Sequence, residues 1–184
     1  MKAPPPKPSL KARALRHLAR REHSRAELER KLTAQLNADR HADHRAQRRG
    51  DPPAEEHSSP PADEAEAAEQ IRRTLDELAA RGLLSDARAA ESLLASHGRR
   101  FGSRRLKQTL QAKGLDPELV RSTVQQSRSA EYERAQDLWR RRFGQPPTDA
   151  KEQARQMRFL AGRGFAGDII RRIVKSALQG DTEG

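Results

Sequence analysis

Three stretches of the chain share one spacing of apolar and ring-bearing positions. His23, Leu28 and Leu32 stand five and four residues apart; Phe101, Leu106 and Leu110 repeat those gaps 78 positions later, and Phe165, Ile170 and Val174 repeat them 64 positions further on. Leu15, Leu93 and Met157 fall on the same offsets, as do Arg21, Arg99 and Arg163. A gap of four places two side chains on one helix face. Each unit therefore reads as a helix, a short bend carrying a bulky ring, and a second helix with an apolar stripe. Such self-similarity predicts tandem helical units, each too small to bury its apolar face alone.

Capping residues divide the chain into nine helices. Ser9 opens a first helix through about Glu22, and Ser24 with Glu27 three residues later forms a capping-box signature for a second carrying Leu28 and Leu32. A third runs from about Asp63 to Arg81 with Ile71, Leu75 and Leu78 inward, and Gly82 stops it. Ser85 opens a fourth that ends near Gly98, and Ser103 a fifth that ends at Gly114. Asp116 and Pro117 supply the cap and first turn of a sixth with Val120 and Val124 inward. A seventh spans about Ser129 to Arg142 and presents Tyr132, Leu138 and Trp139. Thr148 caps an eighth through about Ala161, and a ninth covers Gly167 to Leu178. No run of β-branched alternation argues for a strand.

One offset breaks the pattern. Ile71 and Leu75 recur as Val120 and Val124 after only 49 positions, so surplus residues must lie between the second and third helices. Asn37 to about Ala65 has almost no large apolar residue and contains Asp51-Pro52-Pro53 and Ser58-Ser59-Pro60-Pro61. Such a segment buries too little surface to offset its ordering entropy, and we expect a disordered, solvated loop there.

Composition fits several small cores better than one thick one, since 34% of 184 residues are hydrophobic and only six are aromatic. The chain has no cysteine, which removes disulfides, thiolate nucleophiles and cysteine-ligated zinc. It shows neither an apolar leader nor a stretch of membrane-spanning length, so we expect a cytoplasmic protein without membrane contact. The net charge of +11 is unevenly placed. Residues 1–50 carry 14 basic and 5 acidic side chains, whereas residues 51–70 carry 7 acidic and no basic ones. A basic body around an acidic block suggests a polyanionic partner, either nucleic acid or an acidic protein surface.

Within that body the fourth and fifth helices form the best binding candidate. No acidic residue occurs from Ser92 to Leu115, where Arg99, Arg100, Arg104, Arg105, Lys107 and Lys113 stand around a bend and a helix N-terminus. Free amides at that terminus, with two Arg forks, would suit a phosphate or a carboxylate cluster. Leu106 and Leu110 take the inward stripe, so Arg104, Arg105 and Lys107 should point outward. Phe101, Phe165 and the Tyr132/Trp139 pair could stack on bases, but their spacing favours packing. His41 and His44 with Asp39 and Asp43 form an incidental cluster rather than a metal site. No nucleophile elbow, phosphate-binding loop or His-Glu-x-x-His pair is present, so no enzyme activity, cofactor or metal is expected.

These blocks resemble the RecX-type regulatory proteins that control the RecA recombinase. The residues that carry the resemblance are 14–28 (ALRHLARREHSRAEL), 82–88 (GLLSDAR), 102–106 (GSRRL) and 158–165 (RFLAGRGF) with Asp168 and Ile169. It covers most of residues 10–178 apart from the insertion. What it implies is an all-α protein of tandem three-helix repeats forming an elongated, curved body that binds in the groove of RecA filaments on single-stranded DNA. It further implies inhibition of filament extension, ATP hydrolysis, strand exchange and co-protease activity. The chain departs from the family pattern at Ala89, Leu93, Ala95, His97 and the Gly102-Ser103 pair, all in the central repeat.

The expected organisation is a flexible basic arm over 1–8, a first repeat over 9–84 with the insertion at about 37–65, a second over 85–127, a third over 128–179 and a tail over 180–184. We expect a monomer whose partner is the RecA filament, with single-stranded or duplex DNA as a further partner of the basic surface. The alternative reading is a helix-turn-helix DNA-binding protein in which the fifth or ninth helix enters the major groove, with Arg104, Arg105 and Gln108 nearest to a base-reading set.

Overall fold

The computed structural model describes residues 7–47, 61–98 and 100–180. Among them are nine α-helices and no strand: α1 Leu10–Leu18, α2 Arg25–Gln47, α3 Pro61–Ala80, α4 Asp86–Gly98, α5 Ser103–Ala112, α6 Pro117–Arg128, α7 Glu131–Arg142, α8 Ala150–Gly162 and α9 Gly167–Gly180. They divide into two compact units, Met1–Asp86 and Ala87–Gly184.

In the first unit α1, α2 and α3 close over Ala14, Leu28, Leu32, Ile71, Leu75, Leu78 and Leu84, with Leu10, Leu18 and Leu36 at the edge. The Ser9 hydroxyl accepts the Ala12 amide at 3.2 Å and the Ser24 hydroxyl accepts that of Glu27 at 3.1 Å, as the capping pattern predicts. The first helix is shorter than expected. It stops at Leu18, and Arg21 turns its guanidinium onto the Glu27 carboxylate instead of continuing the helix.

The insertion is also narrower than its sequence suggests. Asn37 to Gln47 continues α2, and Pro61 to Ala65 already belongs to α3; residues 48–60 lie outside the described part. The continuation needs no apolar stripe, because Ala, Arg and Gln are good helix formers. Tertiary contacts add to propensity: Arg13 of α1 forms an ion pair with Asp39, and Arg40 donates to the Asp63 carbonyl at 2.9 Å.

The second unit holds two further cores. One is built from Ala90, Leu106, Leu110, Leu115 and Val120, with Leu93 and Val124 partly buried against it. The other comprises Ala135, Trp139, Leu160, Phe165, Ile170 and Ile173. The inward stripes read from the repeated spacing are therefore correct at all three occurrences, although Leu15, on a matching offset, is exposed. Trp139 is core and not a base platform: it donates to Gln156 Oε1 at 2.7 Å, and Gln156 is itself fully buried. The eighth helix is capped by Asp149, whose carboxylate accepts the Glu152 amide at 2.7 Å; Thr148 precedes the cap and donates to the Glu152 carboxylate.

Second and third repeats meet where their backbones can approach most closely. Gly102 donates its amide to the Arg163 carbonyl at 2.9 Å, and Arg104 donates to that of Gly164 at 3.1 Å. A Cβ on Gly102 would fall on the Phe165 backbone and the Gly164 carbonyl, deep inside van der Waals contact. Gly164 has φ +80°, and a Cβ there would stand 2.6 Å from Arg105 Cβ. The junction thus requires two glycines in register, one from each repeat.

Two predictions follow from this packing. Gly102→Ala should lower the unfolding free energy of the second unit by about 3 kcal/mol, because backbone atoms must separate. Gly98→Ala, four residues earlier and with open space around the position, should be neutral or stabilise by about 0.4–1 kcal/mol. Denaturant midpoints of the two variants check the contrast, and equal effects would remove the steric argument.

Acid should weaken the first unit. His23, 3% exposed, lies with Nδ1 3.3 Å from Glu27 Oε2, and its ring meets that of His17 edge-on at 5.7 Å between centroids. Burial, followed by the charge of Arg21, holds His23 below its ordinary value of 6.5 against the pull of Glu27; burial, then Lys31 and Arg20, lowers His17. Both folded imidazoles therefore favour the neutral form, while the unfolded chain takes up protons at the ordinary value. The stabilisation is complete above 6.5 and is lost as pH falls from there through the lowered folded values. Melting temperature should drop as pH falls below 6.5, and the double variant His17→Gln, His23→Phe should lose most of that slope. Thermal melts followed by circular dichroism check it.

Candidate partner-binding surface

Of the six cations singled out from the sequence, Arg100, Arg104, Arg105 and Lys107 are exposed around the start of α5. Lys113 stands beyond the other end of the helix, about 15 Å away at 1.5 Å per residue, and is only half exposed. It already has interactions within the fold. Arg99 lies outside the described residues.

Local geometry explains why the cations face outward. Leu106 and Leu110 are buried in the core of the second repeat, so the remaining faces of α5 are left to Arg104, Arg105 and Lys107. Arg105 lays its guanidinium over the Phe101 ring at 4.3 Å, and the His97 ring lies tilted against Phe101 at 5.6 Å between centroids. Phe101 is thus only half buried and serves as a platform for a cation; its counterpart Phe165 is core.

The junction adds a cation from the third repeat. Arg163 lies over the Phe159 ring at 4.6 Å and reaches the Arg100 carbonyl at 3.5 Å. Arg100, Arg104, Arg105 and Arg163 therefore cluster at one seam, although 58 positions separate the last two in sequence. In the sequence Arg163 stands out as a repeat of Arg21 and Arg99 and within the 158–165 block, not as part of the α5 charge run. Its membership in the cluster depends on corner-to-corner packing that no local pattern encodes.

Of the amides expected to be free at the start of α5, the first two are already engaged. The Ser103 amide donates to Glu131 Oε1 at 3.0 Å, and the next, that of Arg104, donates to Gly164. Gly102 is the N-cap and provides no side-chain bond, so Ser103 is the first helical residue and not the cap. The same Glu131 oxygen also accepts the Ala166 amide at 3.2 Å. Glu131 is fully buried and went unnoticed in the sequence, where it looks like any acidic residue in a first turn. No sequence signal marks it; its structural parallel in the first unit is Asp86, which opens α4 as Glu131 opens α7 and accepts the Arg25 amide at 2.7 Å.

What remains available to a partner is a set of guanidinium forks and one ammonium, without the helix terminus. Forks of this kind suit carboxylate and phosphate oxygens two at a time. A helix-turn-helix reader uses the N-terminal residues of its second helix in the groove. Here that end is packed against the third repeat, leaving Arg104, Arg105 and Gln108 exposed along the flank. Among the described residues there is no group of His, Asp and Glu able to hold a metal ion, and no helix is long and apolar enough to cross a membrane.

Comparison with known proteins agrees with the helical organisation. Residues 85–123 match the family described as RecX, second three-helix domain, and residues 129–174 match RecX, third three-helix domain. A regulatory protein RecX of Leptothrix cholodnii is 42% identical over 172 residues, covering 94% of this chain and 91% of that protein. One from Ralstonia nicotianae is 37% identical over 169 residues, covering 92% and 88%. Among solved structures, RecX from Lactobacillus salivarius superposes with a TM-score of 0.63 at 19% identity over 91% of this chain and 94% of that one, which supports the fold alone. With its own three-helix repeats matched to those domains and its length to those relatives, the chain belongs to the RecX family of regulatory proteins.

Proposed function

We propose that this protein binds RecA filaments assembled on single-stranded DNA and inhibits their extension, ATP hydrolysis, strand exchange and co-protease activity. It acts by occupancy and not by catalysis, as a cytoplasmic monomer without a cofactor. The observation that carries the reading is the seam of Arg100, Arg104, Arg105 and Arg163, exposed or half exposed and flanked by Lys107; all but Arg163 lie within residues 92–115, which contain no acidic side chain. A surface of this kind attracts acidic protein groups and phosphates, both of which a nucleoprotein filament offers.

Such binding blocks a filament by adding a body that growth and substrate strands must displace. Its strength should fall with salt, because exposed charges are screened over about 8 Å at physiological ionic strength. Direct readout of duplex DNA, the competing possibility, would instead need the α5 terminus free to enter a groove.

Replacing Arg100, Arg104 and Arg105 by Glu should weaken filament binding by at least about tenfold, since losing one interfacial charge partner can already cost about 2–5 kcal/mol. Helical content should be unchanged, as all three side chains are exposed. The check is RecA ATP hydrolysis on single-stranded DNA titrated with each protein, alongside binding to naked duplex at the same salt. Undiminished inhibition by the folded triple variant would remove this surface from the proposal, and tighter wild-type binding to duplex than to filament would favour the DNA-binding reading.

A further inference from the structure

We propose that Glu131 is a positioning residue: it locks the second and third repeats at one angle, so that the basic faces of α5 and α9 meet a partner as a single array. The inference rests on the filament-binding reading above for its functional half, and on geometry alone for the rest.

The geometry is a two-helix clamp. Glu131 is the first residue of α7, yet its side chain leaves its own helix and places Oε1 3.0 Å from the Ser103 amide at the start of α5 and 3.2 Å from the Ala166 amide just before α9. One oxygen from the third repeat therefore holds the beginnings of the second helix pair member in each repeat. Oε2 is buried without a hydrogen-bond partner. Arg134, one turn along α7, sends its guanidinium to the Ser127 carbonyl and hydroxyl instead, at 2.6 and 3.1 Å.

Burying a carboxylate with two amide bonds and the positive ends of two helices is an expensive way to gain stability. Apolar packing would join the repeats at lower cost. What the carboxylate adds is direction, because both amides must point at one atom, and in some proteins a buried polar group of this kind fixes one arrangement among several. The same device occurs in the first unit, where Asp86 receives the amide of Arg25 at 2.7 Å. Arg25 stands 78 positions before Ser103, its counterpart in the repeat pattern.

The faces held in this way are both basic. Arg104, Arg105 and Lys107 are exposed on α5, and Arg171, Arg172 and Lys175 are exposed on α9. Lys107 and Arg171 are repeat counterparts, 64 positions apart. A filament presents the same groups at regular intervals, and two charge clusters at a fixed spacing make the second contact effectively intramolecular. A hinge between them would forfeit that gain while leaving every charge in place.

The chain has no cysteine, so Gln111→Cys on α5 and Ala161→Cys on α8, both exposed, accept spin labels at unique sites. In otherwise wild-type protein, pulsed dipolar spectroscopy should give one narrow distance between the repeats. Glu131→Ala should broaden it well below the melting transition, and filament binding should weaken by roughly tenfold. Glu131→Gln, which keeps one acceptor oxygen, should lie between the two and covers the case in which the alanine variant fails to fold. A purely stabilising role would lower the melting temperature without broadening the distance, which would overturn the proposal. Broadening with undiminished filament binding would overturn it as well. If wild-type protein fails to bind filaments, the functional reading falls, while the distances still decide whether Glu131 is a clamp.

Discussion

The first amide of α5 and the amide just before α9 converge on one buried carboxylate oxygen, and the arrangement of the second unit depends on that convergence. Helix beginnings carry unsatisfied donors, which usually face solvent or a local capping side chain. Gly102 offers no such side chain, and the first two donors of α5 are satisfied across the repeat boundary by Glu131 and Gly164. Forming the junction and capping α5 are thus one event. The close approach that permits it excludes a Cβ at Gly102 and at Gly164, and the same approach brings Arg163 to Arg100.

The ring at each bend shows how one sequence position can serve three environments. Phe165 is sealed into the core of the third repeat. Phe101 is half exposed, with a guanidinium on its face. His23 is buried, but beside a carboxylate that Arg21 already holds, in a setting that disfavours its charged form. The repeat conserves the need for a flat, bulky group where the chain turns. What surrounds that group decides whether it packs, supports a cation or responds to protons.

Periodicity made the helices and their inward faces legible, because Leu28, Leu32, Leu106, Leu110, Ile170 and Val174 are buried for the reason their spacing implies. It failed where stability comes from elsewhere. Asn37 to Gln47 has no apolar stripe and is helical through propensity and through Arg13, a partner on another helix. The exposed cations around α5 could be read from a charge run. Arg163 and Glu131 could not, since their importance arises from distances across the junction and not from their neighbours in the chain.

Arg105 and Arg163 rest on aromatic rings before any partner arrives. A free arginine side chain carries about 2 kcal/mol of rotamer entropy, which binding ordinarily must remove. Here part of that freedom is already surrendered in the folded protein, so the surface is prepared in conformation as well as in charge. Lysine at the same positions would keep the electrostatic field but not the planar stacking, and the chain's preference for arginine at this seam then concerns order more than charge.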